Sequence, residues 1–173
     1  MSLNDRTSKL LEEQIALEAQ AARSYLGMAT WAEVRNLPGA ASFLYRQAEE
    51  ERTHMLRIVR YMAERGKQPT LPFLSEKVAD YKDLPDLFKM AYQQEKEVTQ
   101  AINNLCNHAL AYKDFATFEM LQWFVREQRE EEATAQHVME LSFLLSKTGA
   151  DLVQLDQALA KLGQPSAEQP TRA

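Results

Sequence analysis

Apolar residues recur at alternating intervals of three and four positions in four long segments of the chain. This spacing puts the apolar side chains on one face and is typical of an amphipathic helix packed against other helices. A shorter fifth segment has leucines at positions 152, 155, 159 and 162, with Asp151 as the expected N-cap and Gly163 after its end. The predicted helices span residues 5–35, 38–64, 83–112, 114–147 and about 151–162, with Asp83 and Asp114 as caps of the third and fourth.

Each of the four long apolar faces is interrupted near its middle by a carboxylate. The four residues are Glu18, Glu51, Glu95 and Glu131. A buried carboxylate without a partner is costly, and four that converge in one core would also repel one another. We therefore expect a positive group between them, and a metal ion is the simplest one.

The lengths of the links between helices predict the topology. The first and third links are short, so each joins an antiparallel helical hairpin. The second link covers residues 67–82, and at roughly 3.3 Å per residue it can extend over about 50 Å. A helix of about 27 residues is roughly 40 Å long. The link can therefore run the whole length of the bundle and leave the second and third helices parallel.

The predicted fold is all-α: a four-helix bundle with one long crossover between helices two and three, plus a short C-terminal helix. We expect residues 1–147 to form the bundle and residues 148–163 to add the short helix to the same domain. Residues 164–173 are polar and are expected to be a disordered tail.

Composition restricts the classes of function. The chain has 45% hydrophobic and 26% charged residues, as ordinary globular proteins do. Its net charge of -5 provides no basic surface, so we expect no nucleic-acid partner. It has no basic-then-apolar leader and no apolar run of membrane-spanning length, so a cytoplasmic protein without a membrane partner is expected. The single cysteine, Cys106, excludes a disulfide within the chain and a cysteine-based zinc site.

The second helix contains Glu51 and His54 three residues apart, so both side chains project from one face. Glu-x-x-His supplies one oxygen and one nitrogen ligand to a metal. Its position on the interrupted apolar face favours metal binding. Oxygen-rich ligands with one imidazole favour iron or manganese. The alternative is a buried ion-pair network, but the four stripes contain no basic partners for it.

These residues resemble the bacterial non-haem ferritins of the ferritin-like di-iron class. The resemblance extends from position 3 to about position 162. It rests on Glu18 with Tyr25, on Glu50-Glu51-x-x-His54, on Glu95, on Phe118 to Val125 and on Glu127-Gln128-Arg129-Glu130-Glu131-Glu132.

The resemblance implies three iron sites. The first would be held by Glu18, Glu51 and His54, and Glu51 would bridge to a second iron. The second would be held by Glu95 and Glu131, with Gln128 beside it. A third iron site, on the side that faces the cavity of bacterial ferritins, would be held by Glu50, Glu127, Glu130 and Glu131. These four residues could equally form a solvated acidic face. Tyr25 and Trp123 match aromatic residues beside the family's centre, where the resemblance implies that they would donate electrons or steer the peroxide. The alternative is that they are plain core residues.

Two departures distinguish this chain from bacterioferritin. Bacterioferritin has Glu-x-x-His on its fourth helix, where this chain has Gln128 and Glu131. Arg52 occupies the position that matches the haem-binding methionine, so no haem is expected. The resemblance then implies a ferroxidase that oxidises Fe(II) with O2 and stores Fe(III) mineral within a hollow cage of twenty-four identical subunits. The alternatives are a bacterioferritin-like or rubrerythrin-like di-iron oxidase, or a metal-free helical interaction module.

Overall fold

The computed structural model describes residues 3–72 and 79–163. Within those residues the secondary structure is entirely helical. The helices are α1 Asp5–Glu33, α2 Pro38–Glu64, α3 Leu84–Ala111, α4 Phe115–Leu144 and α5 Gly149–Leu162. The all-α prediction is confirmed, although α1 ends before the expected position 35 and α4 ends before position 147. The predicted tail at 164–173 lies outside the described residues.

The helix starts follow from side chains that accept the first free amides. Asp83 accepts from the Asp86 amide at 2.9 Å, and Asp114 accepts from the Thr117 amide at 3.2 Å, as predicted. Asp151 is not the N-cap of α5, so that prediction is wrong.

Thr148 caps α5 instead. Its hydroxyl accepts from the Asp151 amide at 3.2 Å, while the Asp151 carboxylate accepts from the Thr148 amide at 2.8 Å. This reciprocal capping box satisfies two amides at once, and it starts the helix at Gly149, before Asp151.

Contacts between helices establish their directions. The Thr7 hydroxyl near the start of α1 lies 3.1 Å from the His108 ring near the end of α3. Further along α1, the Tyr25 hydroxyl contacts Glu95, which is earlier in α3. Helices α1 and α3 therefore run antiparallel. Because α1 and α2 form an antiparallel hairpin, α2 and α3 are parallel, and the long crossover predicted from the link length is confirmed.

The four interrupting carboxylates lie between two apolar clusters. One cluster contains Tyr25, Leu44, Ala91 and Val138, and the other contains Ile15, Ile58, Val98 and Phe124. On every long helix the carboxylate falls between a residue of the first cluster and a residue of the second. The bundle is thus apolar on both sides of a polar layer at mid-height, and that layer contains the candidate site. We call it the carboxylate layer, and it consists of Glu18, Glu51, Glu95 and Glu131.

Helix α5 packs against the start of α2. The N-cap residue of α2, Leu37, has no side-chain acceptor, and Asp156 of α5 supplies one. Its carboxylate accepts from the Gly39 amide at 3.0 Å and from the Ala40 amide at 2.8 Å. A Cβ atom on Gly39 would lie 1.9 Å from the Asp156 carbonyl oxygen, so only glycine permits this approach.

None of the helices in the described part of the chain is both long enough and apolar enough to cross a membrane.

Candidate metal centre

Three buried side chains from two helices converge at mid-bundle. Glu18 comes from α1, and Glu51 and His54 come from α2. One ligand atom from each lies within 4.8 Å of the others. His54 Nδ1 is 3.3 Å from Glu51 Oε2 and 3.9 Å from Glu18 Oε2. The i, i+3 spacing on α2 thus brings a carboxylate and an imidazole to the same point, as the sequence predicted.

Aromatic neighbours on α4 orient the His54 ring. Trp123 meets it edge to face, with ring centroids 5.3 Å apart, and Phe124 does so at 6.1 Å. Trp123 and Phe124 also contact each other at 4.9 Å. Both rings on α4 therefore contact the imidazole and favour its observed orientation.

Glu95 on α3 is held by donors from two other helices. The Tyr25 hydroxyl of α1 donates to Glu95 Oε1 at 2.6 Å. The Gln128 side chain of α4 donates to Glu95 Oε2 at 3.3 Å. The side-chain oxygen of Gln128 is buried without a hydrogen-bond partner. This arrangement places Tyr25 and Gln128 beside the carboxylate layer, where the sequence predicted them.

Two glutamines that the sequence reading missed also hold carboxylates. Gln14 donates to Glu18 Oε1 at 2.8 Å, and Gln47 donates to Glu131 Oε2 at 2.8 Å. Both glutamines are almost fully buried. The sequence offered a local signal for Gln14, which lies four residues before Glu18 and therefore on the same helical face. Gln47 lies four residues before Glu51 but donates to Glu131 on α4, so its spacing does not identify its partner.

The carboxylate layer is electrostatically strained without a cation. Burial, followed by repulsion from Glu51, raises the pKa of Glu18 well above its ordinary value. Burial and repulsion from Glu95 do the same to the pKa of Glu51. Burial also raises the pKa of Glu95. Burial, with repulsion from Glu50 and Glu95, raises the pKa of Glu131 to about 8. A bound cation would relieve all four of these charge costs.

Unpartnered polar atoms point to the same conclusion. Both oxygens of Glu51, Oε2 of Glu18 and Nδ1 of His54 are buried and have no hydrogen-bond donor or acceptor. Buried polar atoms are rarely left in this state, and an ion that the structure does not contain is one of the standard explanations. The donor set is oxygen-rich with one imidazole nitrogen, so the residues fit iron or manganese.

A second acidic group lies beside this layer, in a surface cleft of about 570 Å³ between α2 and α4. Its lining includes the four residues predicted for a third site: Glu50, Glu127, Glu130 and Glu131. Burial first, with repulsion from Glu130 and Glu50, raises the pKa of Glu127. We call this cleft the acidic cleft. Glu131 belongs both to it and to the carboxylate layer, so the two groups are continuous.

The predicted residues therefore divide into three groups in space. Glu18, Glu51 and His54 form the tight cluster. Glu95 and Glu131 carry the charges that interact with it, with Tyr25 and Gln128 as neighbours. The acidic cleft contains the remaining carboxylates, and Trp123 lies in its lining against His54.

The crossover bundle and its central carboxylate layer define a protein of the ferritin-like class. The family model described as "Ferritin-like domain" matches residues 8–142. The chain belongs to the ferritin family. It is 36% identical to the bacterial non-heme ferritin of Campylobacter jejuni over 160 residues, covering 92% of this chain and 96% of that one. It is 37% identical to that of Escherichia coli over 152 residues, covering 88% and 92%.

Solved structures give the same result. An open-pore ferritin from the archaeon Archaeoglobus fulgidus superposes with a TM-score of 0.89 at 32% identity, covering 92% of this chain and 98% of that one. A structure described as a humanized archaeal ferritin superposes at 0.89 with 30% identity, covering 99% and 100%. The predicted resemblance to bacterial non-haem ferritins is thereby confirmed over nearly the whole described chain.

Proposed function

We propose that this chain is the subunit of an iron-storage ferritin and that it oxidises Fe(II) with O2 before storing Fe(III) as mineral. The observation that carries the proposal is the convergence of Glu18, Glu51 and His54, whose buried ligand atoms lack protein partners. Membership of the ferritin family supports it independently.

Two Fe(II) ions are the substrates of the carboxylate layer in this proposal. Glu18, Glu51 and His54 hold the first, and Glu95 and Glu131 hold the second, with Glu51 as the bridge. Repulsion from Glu95 is the largest cause after burial of the raised pKa of Glu51, which supports a shared site. Gln128 orients Glu95 through its NH2 group and is a positioning residue rather than the principal ligand.

The chemistry balances with O2 as the oxidant. Each of two Fe(II) ions gives up one electron, and O2 takes both with two protons to become hydrogen peroxide. The negative carboxylates stabilise Fe(III) more than Fe(II), because the ion with the higher charge gains more from the same anions. Burial favours the protonated form of these carboxyl groups in the iron-free protein. Iron displaces those protons as it binds, so they become available at the site.

We further propose that the acidic cleft takes Fe(III) onward from the centre. Its four carboxylates include Glu131, which the carboxylate layer shares, so the product need not cross an apolar barrier. The Glu127→Gln, Glu130→Gln double variant tests this role. It should keep the first rapid oxidation but slow later turnovers, because product leaves the centre more slowly. Unchanged multiple-turnover kinetics would contradict the role.

We propose that the subunits assemble as a hollow cage of twenty-four copies. Several large apolar side chains remain exposed on the single chain, at two places that a cage could cover. One group, at the turn between α3 and α4, consists of Leu110, Tyr112 and Phe115. The other, near α5, consists of Phe143, Leu144 and Val153. Exposed apolar surface of this kind marks contacts between chains.

One experiment tests oxidation and assembly together. Fe(II) is added to the purified iron-free protein in air, absorbance from Fe(III) products is followed, and the particle is sized by light scattering. We expect rapid oxidation, a soluble mineral and a particle far larger than one subunit. Oxidation no faster than in protein-free buffer would overturn the ferroxidase proposal, and a subunit-sized particle would overturn the cage. Absence of a haem absorbance band after expression separates this protein from the bacterioferritin alternative.

A further inference from the structure

An arginine covers the tryptophan that touches the candidate metal centre. The Arg57 guanidinium lies 4.1 Å from the centroid of the Trp123 ring. The same ring meets His54 edge to face at 5.3 Å. Arg57 is exposed, Trp123 is half-buried and His54 is fully buried. The three side chains thus form a continuous series of contacts from solvent to the carboxylate layer.

Trp123 also lies at the boundary between two surface clefts. It lines the acidic cleft, and it lines a second cleft of about 420 Å³ beside it. Arg57 and Arg60 both line that second cleft. Within the described part of the chain, Arg57 is the only arginine whose guanidinium lies over the Trp123 ring. Arg60 lines the same cleft but does not lie over that ring. The chain therefore offers two arginines in one cleft, only one of which can act on the tryptophan directly.

A cation over an indole face is attracted by the electron density of the neutral ring. If the ring loses an electron, it becomes positive and the attraction turns into repulsion. The cation therefore stabilises the neutral ring and makes its one-electron oxidation less favourable. This effect depends on the charge and on its contact with the ring, and packing alone does not produce it.

We propose that Arg57 raises the one-electron reduction potential of Trp123 and so protects it from oxidation at the neighbouring centre. In this role Arg57 acts through Trp123 and is a positioning residue. The proposal rests on the proposed ferroxidase function only for the source of the oxidant. That oxidant is the hydroxyl radical, which forms together with hydroxide when Fe(II) gives one electron to hydrogen peroxide, breaking the O–O bond and leaving Fe(III). It takes one electron from the indole and becomes hydroxide, while the oxidised indole releases its N1 proton to water.

Four variants separate charge from packing. Arg57→Gln removes the charge above the ring, and Arg57→Lys keeps it. Arg60→Gln removes an equal charge from the same cleft without uncovering the ring, so it controls for the general change in field. Trp123→Phe identifies the part of any radical signal that comes from Trp123. Trp31, the other tryptophan, retains the Arg35 guanidinium 3.9 Å from its ring in every variant and serves as an internal reference.

The first arm of the test uses the iron-free full-length protein. Flash photolysis of tris(bipyridine)ruthenium with persulfate generates the one-electron oxidant, and the tryptophan radical is followed by transient absorbance and by electron paramagnetic resonance. We expect the Trp123 radical yield to rise roughly two- to fivefold in Arg57→Gln. It should return towards wild type in Arg57→Lys. A yield in Arg57→Gln no higher than in Arg60→Gln would overturn the proposal, as would an equal rise in Arg57→Lys.

The second arm replaces the photochemical oxidant with Fe(II) and air. We expect the same ranking of variants, with more Trp123 radical in Arg57→Gln than in Arg60→Gln. If the first arm shows the rise and the second shows no Fe(II) oxidation in wild type, the proposed function fails while the effect of Arg57 stands. If Fe(II) is oxidised normally and neither arm distinguishes the two glutamine variants, the effect of Arg57 fails while the proposed function stands.

Discussion

The Tyr25 hydroxyl on α1 donates a 2.6 Å hydrogen bond to Oε1 of Glu95 on α3, with both side chains buried. Burial and the nearby carboxylates raise the pKa of Tyr25 well above its ordinary value, so the phenol keeps its proton at neutral pH. It is therefore a permanent donor to the carboxylate. The bond also links two antiparallel helices through the polar layer, where apolar packing is interrupted.

Tyr25→Phe should weaken that layer. The substitution removes one donor and leaves Glu95 Oε1 buried without it, which costs about 1–3 kcal/mol. We expect the free energy of unfolding of the iron-free protein to fall by that amount in urea titrations. Tyr92→Phe is the matched control, because Tyr92 lies on α3 close to Glu95 and its ring contact with Lys96 is kept by phenylalanine. Equal stability of the Tyr25 variant and wild type would contradict the proposed strength of this bond.

Glu51→Gln should separate stability from activity. Burial raises the pKa of Glu51, so at neutral pH the iron-free folded protein holds a proton there that the unfolded chain has lost. A neutral glutamine avoids that cost and should stabilise the iron-free protein by about 1 kcal/mol. The same change removes the bridging ligand. Because loss of a mere supporting residue costs about 10–100-fold in metal sites, we expect Fe(II) oxidation to slow at least roughly a hundredfold.

Glu49→Gln is the matched control for that experiment. Glu49 is an exposed carboxylate on the same helix and forms a surface pair with Arg52. Its loss should leave both the thermal unfolding midpoint and the oxidation rate unchanged. The account of Glu51 would be wrong if its variant lowered stability while oxidising Fe(II) at the wild-type rate.

The stability of the iron-free protein should fall as pH rises. The pKa of Glu131 is raised from 4.5 to about 8 by burial and by Glu50 and Glu95. Between those two values the folded protein holds a proton that the unfolded chain has lost. Unfolding therefore releases a proton in this window, and raising the pH favours the unfolded state. The raised pKa values of Glu18, Glu51 and Glu95 act in the same direction.

Thermal unfolding at a series of pH values between about 5 and 8 measures this dependence. We expect the unfolding midpoint of iron-free wild type to decrease steadily across the range, and Glu131→Gln to flatten the curve. The contribution of Glu131 alone is of the order of a few kcal/mol. Fe(II) bound without O2 should restore stability most at the upper end. An unfolding midpoint that rises through this window would contradict the electrostatic description of the layer.

The contact between α5 and α2 should be sensitive to a single methyl group. Gly39→Ala would put a Cβ atom 1.9 Å from the Asp156 carbonyl oxygen, and we expect a loss of about 1–3 kcal/mol. Asp156→Ala should cost about 0.5–2 kcal/mol, because the start of α2 has no cap of its own. Gly149→Ala is the control, since no other atom lies within 4 Å of its added Cβ. Chemical denaturation ranks the three, and equal effects of the two glycine variants would refute the contact.

The sequence predicted the helices and the polar layer because both depend on local spacing. Glu51 and His54 share a face through their i, i+3 interval, and the link at 67–82 is long enough to permit the crossover. The identity of the metal ligands stays a prediction. The four carboxylates come together only if the four helices pack with their carboxylates at the same height. The apolar residues before and after each carboxylate made that alignment predictable.

What the sequence did not provide were contacts between residues distant along the chain. Asp156 accepts from the amide of Gly39, which lies 117 residues earlier in the chain, and no local pattern indicates that pairing. Gln47 donates to Glu131 on a different helix, and no local pattern indicates that pairing either. The Thr148 cap could have been read locally, because Thr148 and Asp151 have the spacing of a capping box. The ring contact between Arg57 and Trp123 likewise depends on how α2 and α4 face each other.

In the proposed function the carboxylate layer binds two iron ions. Crystals of the iron-free protein can be soaked in Fe(II) without O2, and diffraction can be recorded on both sides of the iron absorption edge. We expect two anomalous peaks within the bundle, one beside Glu18 and His54 and one beside Glu95 and Glu131, with Glu51 between them. Iron confined to the acidic cleft or the outer surface, with none between the four helices, would contradict it.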